Sequence, residues 1–195
     1  MDICEQVASL YERYGAPALT NFRVGDLTGG FSYEAGVFTL ADANGEVVLI
    51  RRTPHADHPG LETFWWLPGG EWEPDERLDE AAVREFREET GLEVALERLL
   101  VALLREEQFL MLWFRGHVVA GSLSPDGDPT HSTAEAKSFT PADIPVAALR
   151  SNIDRIVLAY AGFIDYPIHD LLARHGLQAQ PMQGRPIDQG EGWHD

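Results

Sequence analysis

From Gly70 to Leu92 the chain reads GEWEPDERLDEAAVREFREETGL, and no other stretch restricts the fold so tightly. Gly70, Glu76, Arg84, Glu85, Glu88, Glu89 and Gly91 fall at fixed intervals, with apolar Phe86 and Leu92 among them. A helix turns about 100° per residue, so Glu85, Glu88 and Glu89 share one face. Ala82, Val83, Phe86 and Thr90 form an adjacent arc that can seat the helix on a sheet. Ala81 lies one turn before Glu85, where a small side chain leaves room for a ligand. Three crowded carboxylates repel one another unless a cation occupies the face. Oxygen-only ligands favour Mg²⁺ or Mn²⁺ over zinc. Upstream, Pro68-Gly69-Gly70 follows the apolar run Phe64–Leu67, and two glycines let the backbone turn sharply and approach a bound phosphate. Asp75 suits the helix N-cap, Glu76 the first turn, and Gly91 the left-handed residue that ends the last turn.

The spacing meets G-x5-E-x7-R-E-U-x-E-E-x-G-U, with U apolar, at every defined position, and on this motif the chain resembles a Nudix hydrolase. The resemblance implies an α/β fold, a Nudix-like α/β/α sandwich with a mixed β-sheet, over roughly Tyr33–Ala161. It implies Glu85, Glu88 and Glu89 as metal ligands, with Mg²⁺ as cofactor and Mn²⁺ as its substitute. Glu85 is the first candidate for the base and Glu88 shares the catalytic face. Arg84 orients the glutamates, with Glu80 and Glu88 in reach at i±4. Relatives often add an acid from outside the motif, and Glu135 is the choice here, with Glu106 and Glu107 as competitors. Gly69 and Gly70 form the phosphate loop. The function implied is attack by a metal-activated water on a diphosphate linkage in a nucleoside diphosphate derivative, such as a nucleoside triphosphate or a nucleotide sugar. The alternative is a nucleotide-sensing protein of the same fold without turnover. Between Leu92 and Ser124 there is neither Pro nor Tyr, so the markers of ADP-ribose and dinucleoside-polyphosphate relatives are missing.

The rest of the chain sets the frame. Length suits a single domain over 1–177 with an N-terminal helix, followed by a flexible tail over 178–195. Ile3, Val7, Leu10 and Tyr14 predict that helix. Tyr33–Ala41 and Glu46–Arg52 read as strands joined at Asp42–Gly45, with further strands within Leu92–Arg105 and Gln108–Val119. Helices are expected at Val146–Ala161 and near His169–His175. Arg51 and Arg52 end a hydrophobic strand on opposite faces, and one of them can meet substrate phosphates. Trp66 can stack on a base. A net charge of −17 argues against nucleic acid and anionic membrane as partners and leaves a small phosphorylated molecule. Cys4 is the lone cysteine, which fits a reducing cytoplasm, and no segment has the pattern of a signal peptide or a membrane span. A homodimer is the assembly the resemblance suggests.

Overall fold

The computed structural model describes residues 2–27, 33–54, 59–106, 108–125 and 132–179. Helix α1 (Ile3–Tyr14) spans the predicted residues, burying Ile3, Val7 and Leu10 along one face. Asp2 caps it by accepting from the Glu5 N–H at 2.9 Å. After a short β1 (Leu19–Thr20), strands β2 (Glu34–Ala43) and β3 (Glu46–Arg52) form a hairpin. Its two-residue loop is Asn44-Gly45, both with positive φ, as the twist of paired strands requires.

The two strands pair only beside that loop, Ala43 with Glu46 and Asp42 with Val47, and then part. β2 runs on between β7 (Phe109–Gly121), in parallel, and the short antiparallel β5 (Gly69–Glu71). β3 instead takes β4 (Trp65–Trp66) and β8 (Thr133–Phe139) as antiparallel neighbours. β6 (Leu92–Arg105) pairs with β7 along its length and in parallel with β1, whose far edge carries β9 (Gln178–Ala179). The sheet is therefore mixed, as expected. Helix α2 (Leu78–Thr90) lies across the parting and touches β2, β3, β5 and β8.

Alternation along the strands divides the core. Leu110, Leu112 and Phe114 of β7 join Ala35 and Val37 of β2 under α1 and α2, together with Leu78, Ala81 and Ala82. Trp113 and Leu40 point the other way, toward α3 (Asn152–Tyr160) and α4 (His169–Arg174). Helices thus cover both faces, the α/β/α sandwich expected. Phe86 anchors α2 with no exposed surface, and its truncation to Ala costs about 3–5 kcal/mol. Ala81, expected beside the ligand face, is instead fully buried in the α1–α2 core.

Two expected boundaries change. The helix expected over Val146–Ala161 is split: a single turn at Val146–Ala148 precedes α3, which Ser151 caps by accepting from the Ile153 N–H at 3.0 Å. The break arises because the Arg150 N–H donates to the Trp65 carbonyl (3.1 Å), tying the chain to the sheet edge. Gln178 and Ala179, assigned to the tail, pair with β1, whereas residues 180–195 lie outside the described residues.

Candidate active site

The acidic helix starts two residues later than its sequence suggests. Arg77 occupies the N-cap position, its N–H donating to Glu80 Oε2 (3.1 Å), and the Leu78 N–H is met by Gln6 Oε1 of α1 at 2.9 Å. Glu76 is left outside the helix because Arg84 holds it, Nη2 to Oε1 at 2.6 Å and Nε to Oε2 at 2.9 Å. Burial opposes the charge on Glu76, but the Arg84 fork and the Glu73 N–H outweigh it and hold the carboxyl below its usual range. In the first turn Asp79 is buried and accepts from Arg13 (2.6 Å), the Tyr14 hydroxyl (3.0 Å) and Arg77 Nε (3.0 Å). Here too burial works against the charge, and the combined donors win, so the Asp79 pKa is lowered.

Arg84 extends its remaining nitrogen across the acidic face. Nη1 donates to Glu85 Oε1 at 2.7 Å and to Glu88 Oε2 at 3.4 Å, and Nη2 reaches the Glu71 carbonyl at 3.2 Å. Glu80, expected as a partner at i−4, is engaged at Arg77 instead. Burial is the main force raising the Glu85 pKa, and Arg84 opposes it. The carboxylate of Glu85 lies against Gly70: a Cβ there would sit 2.4 Å from Oε2. Gly70 is thus needed for close approach, but to the protein's own carboxylate. Gly69 and Gly70 belong to β5, and the Gly69 N–H donates to Glu89 Oε2 at 2.7 Å. Glu89, 2% exposed, also meets Arg52 Nη1 at 3.0 Å and the Thr133 hydroxyl at 3.4 Å. Arg52 completes a clamp by donating to Ser132 Oγ (2.6 Å) and the Gly69 carbonyl (3.2 Å). Gly91 ends α2 with φ 70°, the left-handed cap its sequence position predicts.

The remaining candidates separate. Arg51 and Arg52 do point to opposite faces. Arg51 lies 5.5 Å over the Trp65 ring and pairs with Glu135 directly opposite on β8. Glu135 therefore sits with Arg51, away from the Arg84 cluster. Trp66 pairs with Ile50 on the edge strand, and its indole N–H is buried with no hydrogen-bond partner among the described residues. Glu106 lies in the β6–β7 turn, and Glu107 lies outside the described residues. Gln6, Asp79 and the clamp role of Arg52 carried no sequence signal, since each depends on a contact between distant segments.

Comparison with known proteins accords with this geometry. The NUDIX domain model matches residues 31–160. The chain belongs to the Nudix family. A Bacillus subtilis protein named as a putative 8-oxo-dGTP diphosphatase is 34% identical over 119 residues, covering 58% of this chain and 71% of that protein. The Escherichia coli CTP pyrophosphohydrolase is 36% identical over 70 residues, covering 36% of this chain and 50% of that protein. The Nudix hydrolase structure from Nitrosomonas europaea superposes with a TM-score of 0.53 at 18% identity, over 70% of this chain and 77% of that one. With its motif whole, this Nudix protein is a hydrolase of phosphorus-containing anhydrides.

The family uses divalent metal ions. Among the described residues no three acidic or imidazole side chains converge on one point. Glu85 and Glu88 nevertheless share one cationic nitrogen of Arg84, so their oxygens already bracket a positive charge. The donor set is all oxygen, which suits a hard cation. Glu89 is turned inward, onto Gly69 and Arg52.

Proposed function

We propose that this chain hydrolyses the diphosphate linkage of a nucleoside diphosphate derivative with Mg²⁺, or Mn²⁺ in its place. Glu85 and Glu88 would hold the ion, with Glu89 next in line. A bound divalent ion supplies charge neutralisation at phosphate oxygens and a more acidic water. The protein's own groups do the positioning. Arg84 fixes Glu76, Glu85 and Glu88 at once, and this simultaneous hold is the observation that carries the reading. Glu85, raised in pKa by burial and stacked on Gly70, is suited to take the proton of the attacking water at Oε2. Relatives named for 8-oxo-dGTP and CTP support a nucleotide substrate. Incubation of a nucleotide panel with Mg²⁺ or with chelator tests the reading. Magnesium-dependent release of a nucleoside monophosphate is expected, whereas retention of nucleotide without turnover would favour the sensing alternative.

A further inference from the structure

A groove of about 530 Å³ runs between the end of α1 and the outer face of α2. Arg84 and Glu88 line it, so it opens directly onto the catalytic face. Glu80, Val83 and Arg87 supply the rest of one wall, on the i, i+3, i+7 stripe of α2, and Tyr14 supplies the other. Tyr14 lies outside the 31–160 segment matched by the family model. The volume falls within the roughly 300–1,000 Å³ of small-molecule sites.

The lining groups differ in what they have left to offer. Asp79 is saturated by Arg13, Tyr14 and Arg77, and Arg84 by Glu76, Glu85 and Glu88. Arg87 has no ion partner among the described residues, and Glu80 uses one carboxylate oxygen, on the Arg77 N–H. A free guanidinium thus stands beside Glu88 at the reacting end. A half-free carboxylate stands about 10 Å away, two helical turns along. A second polyanion is disfavoured by Glu80 and Glu88. Sandwiching of a base is disfavoured because Arg13 already lies over the Tyr14 ring (6.0 Å) and Phe114 meets it edge-on (5.7 Å). A molecule with one phosphate and many hydroxyls fits: carboxylate and guanidinium bind hydroxyl and phosphate oxygens, and Val83 with the Tyr14 rim receives C–H surface.

We propose that this groove is the subsite for the sugar-phosphate half of a nucleoside diphosphate sugar, with Arg87 on its phosphate and Glu80 accepting from its hydroxyls. The proposal rests on the hydrolase reading for its position next to the reacting bond. Calorimetric titration of the full chain with glucose 1-phosphate, and separately with a nucleoside monophosphate, tests it without turnover. Arg87→Ala should weaken glucose 1-phosphate at least tenfold and leave nucleoside monophosphate binding unchanged, with Arg87→Lys intermediate. In turnover, the same variant should raise KM for a nucleoside diphosphate hexose about tenfold at constant kcat. Equal glucose 1-phosphate binding by wild type and Arg87→Ala, or none by wild type, overturns the subsite even if nucleotides are hydrolysed. Loss confined to glucose 1-phosphate, in a protein that hydrolyses nothing, keeps the subsite and removes the hydrolase reading.

Discussion

Replacing Gly70 with Ala separates positioning from stability at a single atom. The added Cβ would lie 2.4 Å from Glu85 Oε2 and 2.6 Å from its Cδ, so the carboxylate must move by about 1 Å to reach ordinary contact distance. The 2.7 Å contact to Arg84 then lengthens and the base candidate leaves its place. A displacement of that size in a reacting group costs about 10²-fold in rate. The moving atoms are the end of a flexible side chain, so the expected loss of stability is about 1 kcal/mol, the low end for overpacking. Steady-state phosphate release with Mg²⁺ should show kcat down about 10²-fold with KM changed little, and the melting temperature should drop by only a few degrees. Gly25→Ala is the control, because a Cβ there meets nothing within 4 Å. Full kcat in Gly70→Ala would refute the assignment of Glu85, and unfolding would refute the stability estimate.

Other expectations follow from the same contacts. Glu89→Gln should nearly abolish turnover. It should also cost about 3 kcal/mol in denaturant melts, because it strips the buried partner from Arg52. Gln6→Leu, which leaves the Leu78 N–H unmet, should lower stability by about 1–2 kcal/mol with activity falling alongside; an unchanged melt would show that α1 does not brace the catalytic helix. Asp154 is a fully buried carboxyl whose pKa burial lifts from 3.8 to about 7, against the Trp113 indole, the Leu67 N–H and Arg155. The folded protein therefore holds a proton that the unfolded chain releases, so this group's contribution to stability falls as pH rises from about 4 to about 7. Asp154→Asn should flatten that slope in thermal melts and be the more stable protein at pH 8; a slope that persists assigns the effect elsewhere.

What the sequence made legible was set by local periodicity. The α1 range and the Gly91 cap are each decided within a few residues and stand where their patterns put them, and the turn expected over Asp42–Gly45 narrows to Asn44-Gly45 because Asp42 and Ala43 pair with β3. The acidic face of α2 was equally plain, because carboxylates at i, i+3 and i+4 cannot avoid one another on a helix. Partners from afar were not legible. The helix start moved because Gln6, 72 residues upstream, met the Leu78 N–H, and because Glu76 was drawn back to Arg84. The Gly69-Gly70 pair looked like an open phosphate loop, yet pairing with β2 makes it a strand whose free space belongs to Glu85. Glu135 was chosen by its place in the chain, but strand register sets it opposite Arg51, and alternation carries both away from Glu89 and Arg52. Register between distant strands depends on the assembled sheet, and neighbouring residues do not encode it.

The most direct test of the central claim is mass spectrometry of the products formed from a nucleotide panel in oxygen-labelled water. The panel holds nucleoside triphosphates and nucleoside diphosphate sugars, each with Mg²⁺ or with chelator. Cleavage is expected only with the metal, with one label atom on a phosphorus of a product, and it should be lost in Glu85→Gln. Cleavage that survives chelation or the Glu85 substitution would contradict this reading, as would intact nucleotides throughout the panel with saturating Mg²⁺.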